Sequence, residues 1–298
     1  MGLLDIDTLN KAYEKLIKID ENIMLYGEGW NMMNPLPNDK RAHMFNHKKM
    51  PNYGFFNDRY RDTFRGNQWQ HTKGFIFKSE KSFYDLSQLL IGSCIDYFKF
   101  SEPAQTINYV ECHDNYTVYD FAKTYVKELD EQATIDACKL ALQIILVSQG
   151  VPFIHAGQEF FRTKRGIENS YATRDSINKI DFRRRDKYNK YVDSIKDLIS
   201  LRKEYEVLRM PSKLVIEKKA HPLDGLIDSN TMAGILTSDS YDILVVFKND
   251  YSEKIIELEN TIMIYDSMKK CNINDKSFVI TNPGVYLFKK EKRYGADW

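Results

Sequence analysis

Two carboxylates in this 298-residue chain stand where chemistry would be sought. Glu28 is held between Gly27 and Gly29 just after the apolar run Ile23, Met24, Leu25 and Tyr26, and Asp114 lies between His113 and Asn115 after the run that starts at Thr106. Hydrolysis of a glycosidic bond needs a protonated acid beside the leaving oxygen and anionic groups around the developing sugar cation, and two acidic groups on one rim could share that work. On residue type alone each has a plainer reading. Glu28 could be a solvated loop carboxylate, and His113, Asp114 and Asn115 could form an Asx turn with a hydrogen-bonded histidine. Trp30 offers either a flat apolar face for stacking a sugar ring or a core indole behind the strand.

These side chains need elements to position them. Leu9, Ala12, Tyr13, Leu16 and Ile17 recur at three- and four-residue spacing, with Asp5 or Asp7 able to accept the free N–H groups of the first turn, which predicts an amphipathic helix. Short apolar runs ending in polar or glycine-rich tips then repeat. They fall at 23–26 before Gly27, at 53–57 before Asp58, at 106–112 before His113, and at 151–155 before Ala156 and Gly157. A helix is predicted over 135–147, stopped by Gln149, Gly150 and Pro152. Strands alternating with helices imply parallel βα units covered on both faces, and in such folds the strand tips at the C-terminal ends build the site. A closed (β/α)8 TIM barrel needs eight such strands, so the four here make an α/β fold with half a barrel over residues 1–210.

Beyond a helix expected from about 188 to 203 and a break at Pro211 and Ser212, the pattern changes. Short β-branched or aromatic runs occur at Val215-Ile216, Ile235-Leu236, 243–247, Ile255-Ile256, 262–265, 278–280 and 286–288. Turn residues separate them at Asp224-Gly225, Asp239-Ser240, Asn249-Asp250 and Asn282-Pro283-Gly284. This predicts an antiparallel β-sandwich domain over 211–298.

Composition narrows the ligand class. Lys plus Arg (43) against Asp plus Glu (42) leaves a net charge of +1, so no basic footprint favours nucleic acid or an anionic membrane surface, and a neutral or small ligand is expected. Apolar runs fall short of the roughly 20 residues of a spanning helix. The N-terminus lacks the basic start and apolar core of a signal peptide. Cys94, Cys112, Cys138 and Cys271 are scattered singly, which predicts reduced thiols and a cytoplasmic location. No metal site is assigned: His43 and His47 have no third ligand at metal spacing and are expected on the surface. Arg183, Arg184 and Arg185, flanked by Asp181 and Asp186, are expected in a solvated loop. The aromatic run at 53–56 is expected in the barrel core, with Asn57 and Asp58 at its tip lining a cleft.

Leu25-Tyr26-Gly27-Glu28-Gly29-Trp30 and Tyr109-Val110-Glu111-Cys112-His113-Asp114-Asn115 resemble the third and fourth signature segments of the α-amylase superfamily of glycoside hydrolases. Phe55-Phe56-Asn57-Asp58-Arg59-Tyr60-Arg61-Asp62, the segment from Gly150 through Ala156-Gly157-Gln158-Glu159-Phe160-Phe161-Arg162-Thr163-Lys164, Asn169-Ser170-Tyr171 and Asp175-Ser176-Ile177-Asn178 are similar to type I pullulanases. The resemblance spans roughly residues 1 to 205 and implies the C-terminal half of the barrel. It further implies an α-1,6-glucosidase that cuts branch points in pullulan, limit dextrin and glycogen with retention. Carried over, Glu28 would be the general acid/base, Asp114 the ionised stabiliser of the transition state, His113 a holder of a sugar hydroxyl, and Trp30 a stacking platform. Asn115, Asn57, Asp58, Asn169, Tyr171 and Asp175 would be substrate-binding residues. Calcium occurs in many relatives, but the sequence assigns it no ligands here.

One departure bears on the mechanism. In the family a Gly-Phe-Arg-Phe-Asp-Leu-Met-Gly segment carries the nucleophile Asp, and the match here starts only at Met1-Gly2-Leu3. The nucleophile is therefore expected upstream of Met1, the chain alone is expected to be inactive, and a complementing N-terminal half is an expected partner. The alternatives are a non-catalytic α-glucan-binding remnant and an α-1,4-acting amylase-type hydrolase.

Overall fold

The computed structural model describes residues 1–95, 100–223, 228–266, 272–274 and 277–292. Each of the four apolar runs contributes a strand, at Leu25–Gly27, Tyr53–Phe56, Thr106–Asn108 and Val151–Pro152, the third and fourth ending short of the expected 112 and 155. They lie side by side in chain order and all parallel, with Tyr26 opposite Gly54, Phe55 opposite Thr106 and Ile107 opposite Val151. Strands in sequential order joined by helical crossovers put every C-terminal tip on the same edge of the sheet, which is what brings residues 28, 58 and 113–115 together.

The helices form where spacing and caps dictate. Ile6–Leu16 is capped by Asp5, whose carboxylate accepts the Thr8 N–H at 2.9 Å. Glu131–Val147 starts earlier than its apolar run, because Asp130 accepts the Ala133 N–H at 2.7 Å and so sets the first turn there. It is buried from Thr134 to Val147, as expected of a helix apolar on nearly every side. Asn189–Glu204 forms the helix expected near 188–203. Among the described residues no helix is long and apolar enough to cross a membrane.

The C-terminal part is antiparallel. Thr261–Asp266, Gly284–Glu291, Tyr241–Lys248, Thr231–Thr237 and Ala220–Pro222 make one sheet in that order, and Lys254–Glu257, Ser277–Ile280 and Asn272–Asn274 make a second. Alternation along the strands assigns the faces. Leu244, Val246, Tyr286 and Phe288 cluster with Ile256, Phe278 and Ile280 of the small sheet, while Val245, Phe247, Val285 and Leu287 join the main core. The Phe278 and Phe288 rings meet edge to face at 4.9 Å. Gln143 of the buried helix fastens the larger sheet, accepting the Val285 N–H at 3.1 Å and donating to the Tyr265 hydroxyl at 3.0 Å.

Three expectations need correction. Val215 and Ile216 lie in a helix, Lys213–Lys219, which Ser212 caps through the Val215 N–H, so that only Ile216 of the segment is buried. Arg183, Arg184 and Arg185 lie in a short helix, Phe182–Lys187, started by Asp181 accepting the Arg183 N–H at 3.1 Å. His43 and His47 are buried, at 1% and 7% exposure, in a segment held by polar contacts of its own, with His43 Nε2 3.3 Å from Asn38 Oδ1. There His47 bonds Gln105 Oε1 at 3.2 Å and meets the Phe100 ring edge-on. Cys271 and the Asp224-Gly225 turn lie outside the described residues; Cys94, Cys112 and Cys138 are buried and unpaired.

Candidate functional site

The strand tips open onto a cleft of about 210 Å³ whose acidic lining residues are Glu28, Asp58 and Asp114. Glu28 follows the strand end at Gly27, and its backbone is held tightly although its side chain is half exposed. The Met1 ammonium donates to the Glu28 carbonyl at 2.8 Å, and the next carbonyl, that of Gly29, accepts the Met44 N–H at 2.8 Å. A Cβ on Gly29 would lie 2.4 Å from Cδ1 of Phe55, so glycine is what allows the loop to pack this closely on the strand beside it. Trp30 is half-buried on the cleft wall. His113 Nε2 lies 3.7 Å from Glu28 Oε1, with both side chains open to solvent.

Asp58, expected at the cleft, lines it with two partners of its own. Arg61 Nη1 is 3.0 Å from its carboxylate, and the Tyr109 hydroxyl donates to it. Burial raises the Asp58 carboxyl above its ordinary value of 3.8, and the Arg61 charge opposes that rise. Arg61 is almost fully buried and also bonds Asp62 at 2.7 Å and the Tyr109 hydroxyl at 2.9 Å, while its guanidinium faces the Trp69 ring at 5.3 Å. Asn57 is turned away from the cleft. It caps the next helix by accepting the Tyr60 N–H at 3.1 Å, and its amide donates to Ser93 and Thr106 at 3.0 Å each.

The turn carrying Asp114 is built from residues that pattern reading passes over. Asn115 has a left-handed backbone, φ 57°. Its N–H donates to Asn169 Oδ1 at 3.0 Å and its side-chain oxygen accepts from Gln68 at 2.8 Å, so Asn169 reaches the site through the backbone of Asn115. Gln68 also donates to Glu168. Beneath the turn, buried Glu111 accepts the Val118 N–H at 2.6 Å and pairs with His155 Nδ1 at 2.9 Å. Arg162 lies against the other ring nitrogen of His155 at 3.2 Å. Asp114 accepts the Cys112 S–H at 2.7 Å. Tyr171 and Asp175 lie on the exposed segment around Ser170–Ala172 and Asp175–Asn178, outside the lining of this cleft.

Sequence reading missed Gln68, Trp69, Arg61, Tyr109, Glu111, His155 and Lys164 as parts of the site or its support. Gln68 and Trp69 carried no signal, whereas Arg61, Tyr109, Glu111, His155 and Lys164 lie within the segments that carried the family resemblance and were given no role there. Among the described residues, Cys112, His113 and Asp114 alone form a group of three that could present metal ligands, with the ligand atoms within 4.8 Å of one another. Burial and the Asp114 carboxylate push the Cys112 thiol up to about 12. A protonated thiol and an imidazole do not fit calcium, which takes oxygen ligands.

No family model matches the chain. It is 42% identical over 225 residues to the pullulanase of Bacillus subtilis (strain 168), a span covering 73% of this chain and 31% of that protein. The structure of pullulanase type I from Bacillus subtilis str. 168 complexed with maltose superposes with a TM-score of 0.90 at 34% identity, covering 98% of this chain and 43% of that one. Pullulanase from Anoxybacillus sp. LM18-11 complexed with maltotriose also superposes with a TM-score of 0.90, at 31% identity, covering 97% of this chain and 42% of that one. The chain thus spans less than half the length of these relatives. Over the residues it shares with them, it belongs to the pullulanase family of glycoside hydrolases.

Proposed function

We propose that these residues form part of the active site of an α-1,6-glucosidase that opens branch points in pullulan, limit dextrin and glycogen with retention of configuration. The observation that carries this reading is the convergence of Glu28, His113, Asp114 and Trp30 on one cleft at the C-terminal ends of parallel strands, in a chain homologous to pullulanases. Glu28, half exposed on a braced loop, protonates the leaving oxygen and later activates water; Asp114 stabilises the sugar cation; His113 holds a hydroxyl in the same subsite; Trp30 stacks on a ring. The solved relatives in complex with maltose and maltotriose support an α-glucan ligand.

A retaining mechanism needs a nucleophilic carboxylate about 5 to 5.5 Å from the acid. Of the three acids on the cleft, Asp58 is engaged by Arg61 and Tyr109, and the other two are already given roles. The nucleophile in this reading comes from a strand beside Leu25–Gly27, one of the two edge strands of the parallel sheet, where Tyr26 and the preceding Met24 are exposed. The same reading makes the sheet half of a (β/α)8 barrel that a complementing segment closes. It also places the protein in the reducing cytoplasm, in keeping with the unpaired Cys94, Cys112 and Cys138.

The test is reducing-sugar release from pullulan and from linear amylose, by this chain alone and after mixing with the unmatched remainder of the Bacillus subtilis pullulanase. Background rate alone and pullulan hydrolysis on mixing are expected. Turnover by the chain alone would refute the shared-site reading, and a preference for amylose would favour an α-1,4-acting enzyme. Maltotriose binding that never becomes hydrolysis in any mixture would favour a non-catalytic glucan-binding protein.

A further inference from the structure

We infer that Lys164 is the positioning residue of the 113–115 turn: its ammonium ties that turn to the 164–169 loop and so sets where His113 and Asp114 stand in the cleft. The inference rests on the glucan-site reading for its functional consequence and on geometry for its substance.

Lys164 is 1% exposed. An ammonium has three N–H donors, and here three backbone carbonyls surround it: Asn115 at 2.6 Å, His113 at 3.2 Å and Glu168 at 3.2 Å. The other end of the residue is fixed as well. Its backbone N–H donates to Asp120 Oδ2 at 2.6 Å, and the neighbouring Thr163 hydroxyl donates to Oδ1 of the same carboxylate at 2.5 Å. Asp120 belongs to the helix Val118–Tyr125 and faces its capping residue Thr117, so the lysine stem spans from that helix to the turn. Glu168 closes the circuit by bonding Gln68, which bonds Asn115.

A neutral amide at position 164 would bring two N–H donors to three convergent carbonyls, and an apolar side chain none, leaving buried acceptors without partners. Stability alone does not call for a charge here, since burying an ammonium among neutral carbonyls is costly, and burial accordingly pulls Lys164 below the ordinary lysine value. The charge does serve the site. The carboxylates of Glu111 and Asp114 act on it favourably and the Arg162 guanidinium unfavourably, and the three carbonyls hold this group under the turn that presents Asp114.

The test uses the chain itself, its Lys164→Met and Lys164→Ala variants, and maltotriose as the probe. In the unsubstituted chain, the Lys164 ammonium is expected to give a protected N–H signal in ¹H–¹⁵N spectra; rapid solvent exchange there would overturn the inference, whatever the variants do. In Lys164→Met, amide exchange at Asn115 is expected to rise by about tenfold or more and maltotriose affinity to fall by about as much, with the amides of Glu131–Val147 still protected. Methylammonium is expected to restore slow Asn115 exchange to Lys164→Ala, which a general packing role would not allow. Asn115 exchange within about twofold of the unsubstituted chain in Lys164→Met would refute the inference. A chain that never binds maltotriose counts against the glucan reading only, because the two exchange measurements judge Lys164 without a ligand.

Discussion

His113 Nε2 stands 3.7 Å from Glu28 Oε1, joining two loops that are far apart in the chain and sit on the first and third strands of the parallel sheet. That separation is too long for a hydrogen bond, so each group is free to bond a ligand oxygen instead of the other. It also makes the pair a direct probe of whether the cleft is used.

In a preparation made active by the complementing segment, Glu28→Gln is expected to lower pullulan hydrolysis by about 10²- to 10⁴-fold while changing maltotriose affinity little. His113→Ala is expected instead to weaken maltotriose binding by about tenfold, the loss of one good hydrogen bond. Calorimetric titration and reducing-sugar assays separate the two effects. A Glu28→Gln protein that keeps full activity would remove Glu28 from the chemistry.

Gly29→Ala tests the loop itself. The added Cβ would lie 2.4 Å from Phe55 Cδ1 and 3.1 Å from the Met44 backbone nitrogen, and neither the buried ring nor the backbone can move aside freely. Overpacking of this kind costs about 1–3 kcal/mol, and the displaced loop should carry Glu28 and Trp30 with it. Urea unfolding and maltotriose titration should both show a loss. A variant equal to the parent in both would mean that the loop is not held as described.

Arg61→Ala removes the shared partner of Asp58, Asp62 and Tyr109. Because Arg61 is nearly inaccessible while Asp58 and Asp62 keep some contact with water, the cost is expected near the low end for a broken buried pair, about 3 kcal/mol. Asp58→Asn should cost less, since burial already raises that carboxyl. Denaturant midpoints of the two variants check the order.

His47 supplies a pH dependence. Burial holds its pKa below the ordinary 6.5, so as pH falls below 6.5 the unfolded chain takes up the proton first. The stability linked to His47 is thus fully present above pH 6.5 and is lost as pH falls through its lower folded-state value. His43 shifts in the same direction for the same cause. Urea unfolding at pH 7.5 and 5.5 should show the parent losing more stability on acidification than His47→Gln, and an equal loss would contradict this.

Much of the fold was legible because it rests on local signals. The existence of the four strands, a cap at Asp5 or Asp7 and the long helix ending before Gly150 follow from periodicity and punctuation, which act over a few residues, whereas the choice of Asp5 and the early ends of the strands at Asn108 and Pro152 do not. Val215 and Ile216 misled because a β-branched pair has no period of its own; the capping Ser212 just ahead of them was the better guide. His43 and His47 misled because histidine type says nothing about burial, which partners distant in the chain, such as Gln105 and Phe100 for His47, decide.

The sequence by itself determined which residues could do chemistry and on which kind of element each would sit. Glu28 follows one strand and Asp114 follows another, and parallel pairing then requires their tips to share a rim. What only the tertiary structure decided is which polar side chains face that rim and which are spent holding it. Asp58 is tied to Arg61 and Tyr109, Asn57 is turned inward as a cap, and Lys164 reaches under the turn from a loop about fifty positions further along the chain. The physical reason is that a buried polar group takes whichever partner the packed chain brings within about 3 Å, and that partner is set by the path of the whole fold, beyond the reach of any local pattern.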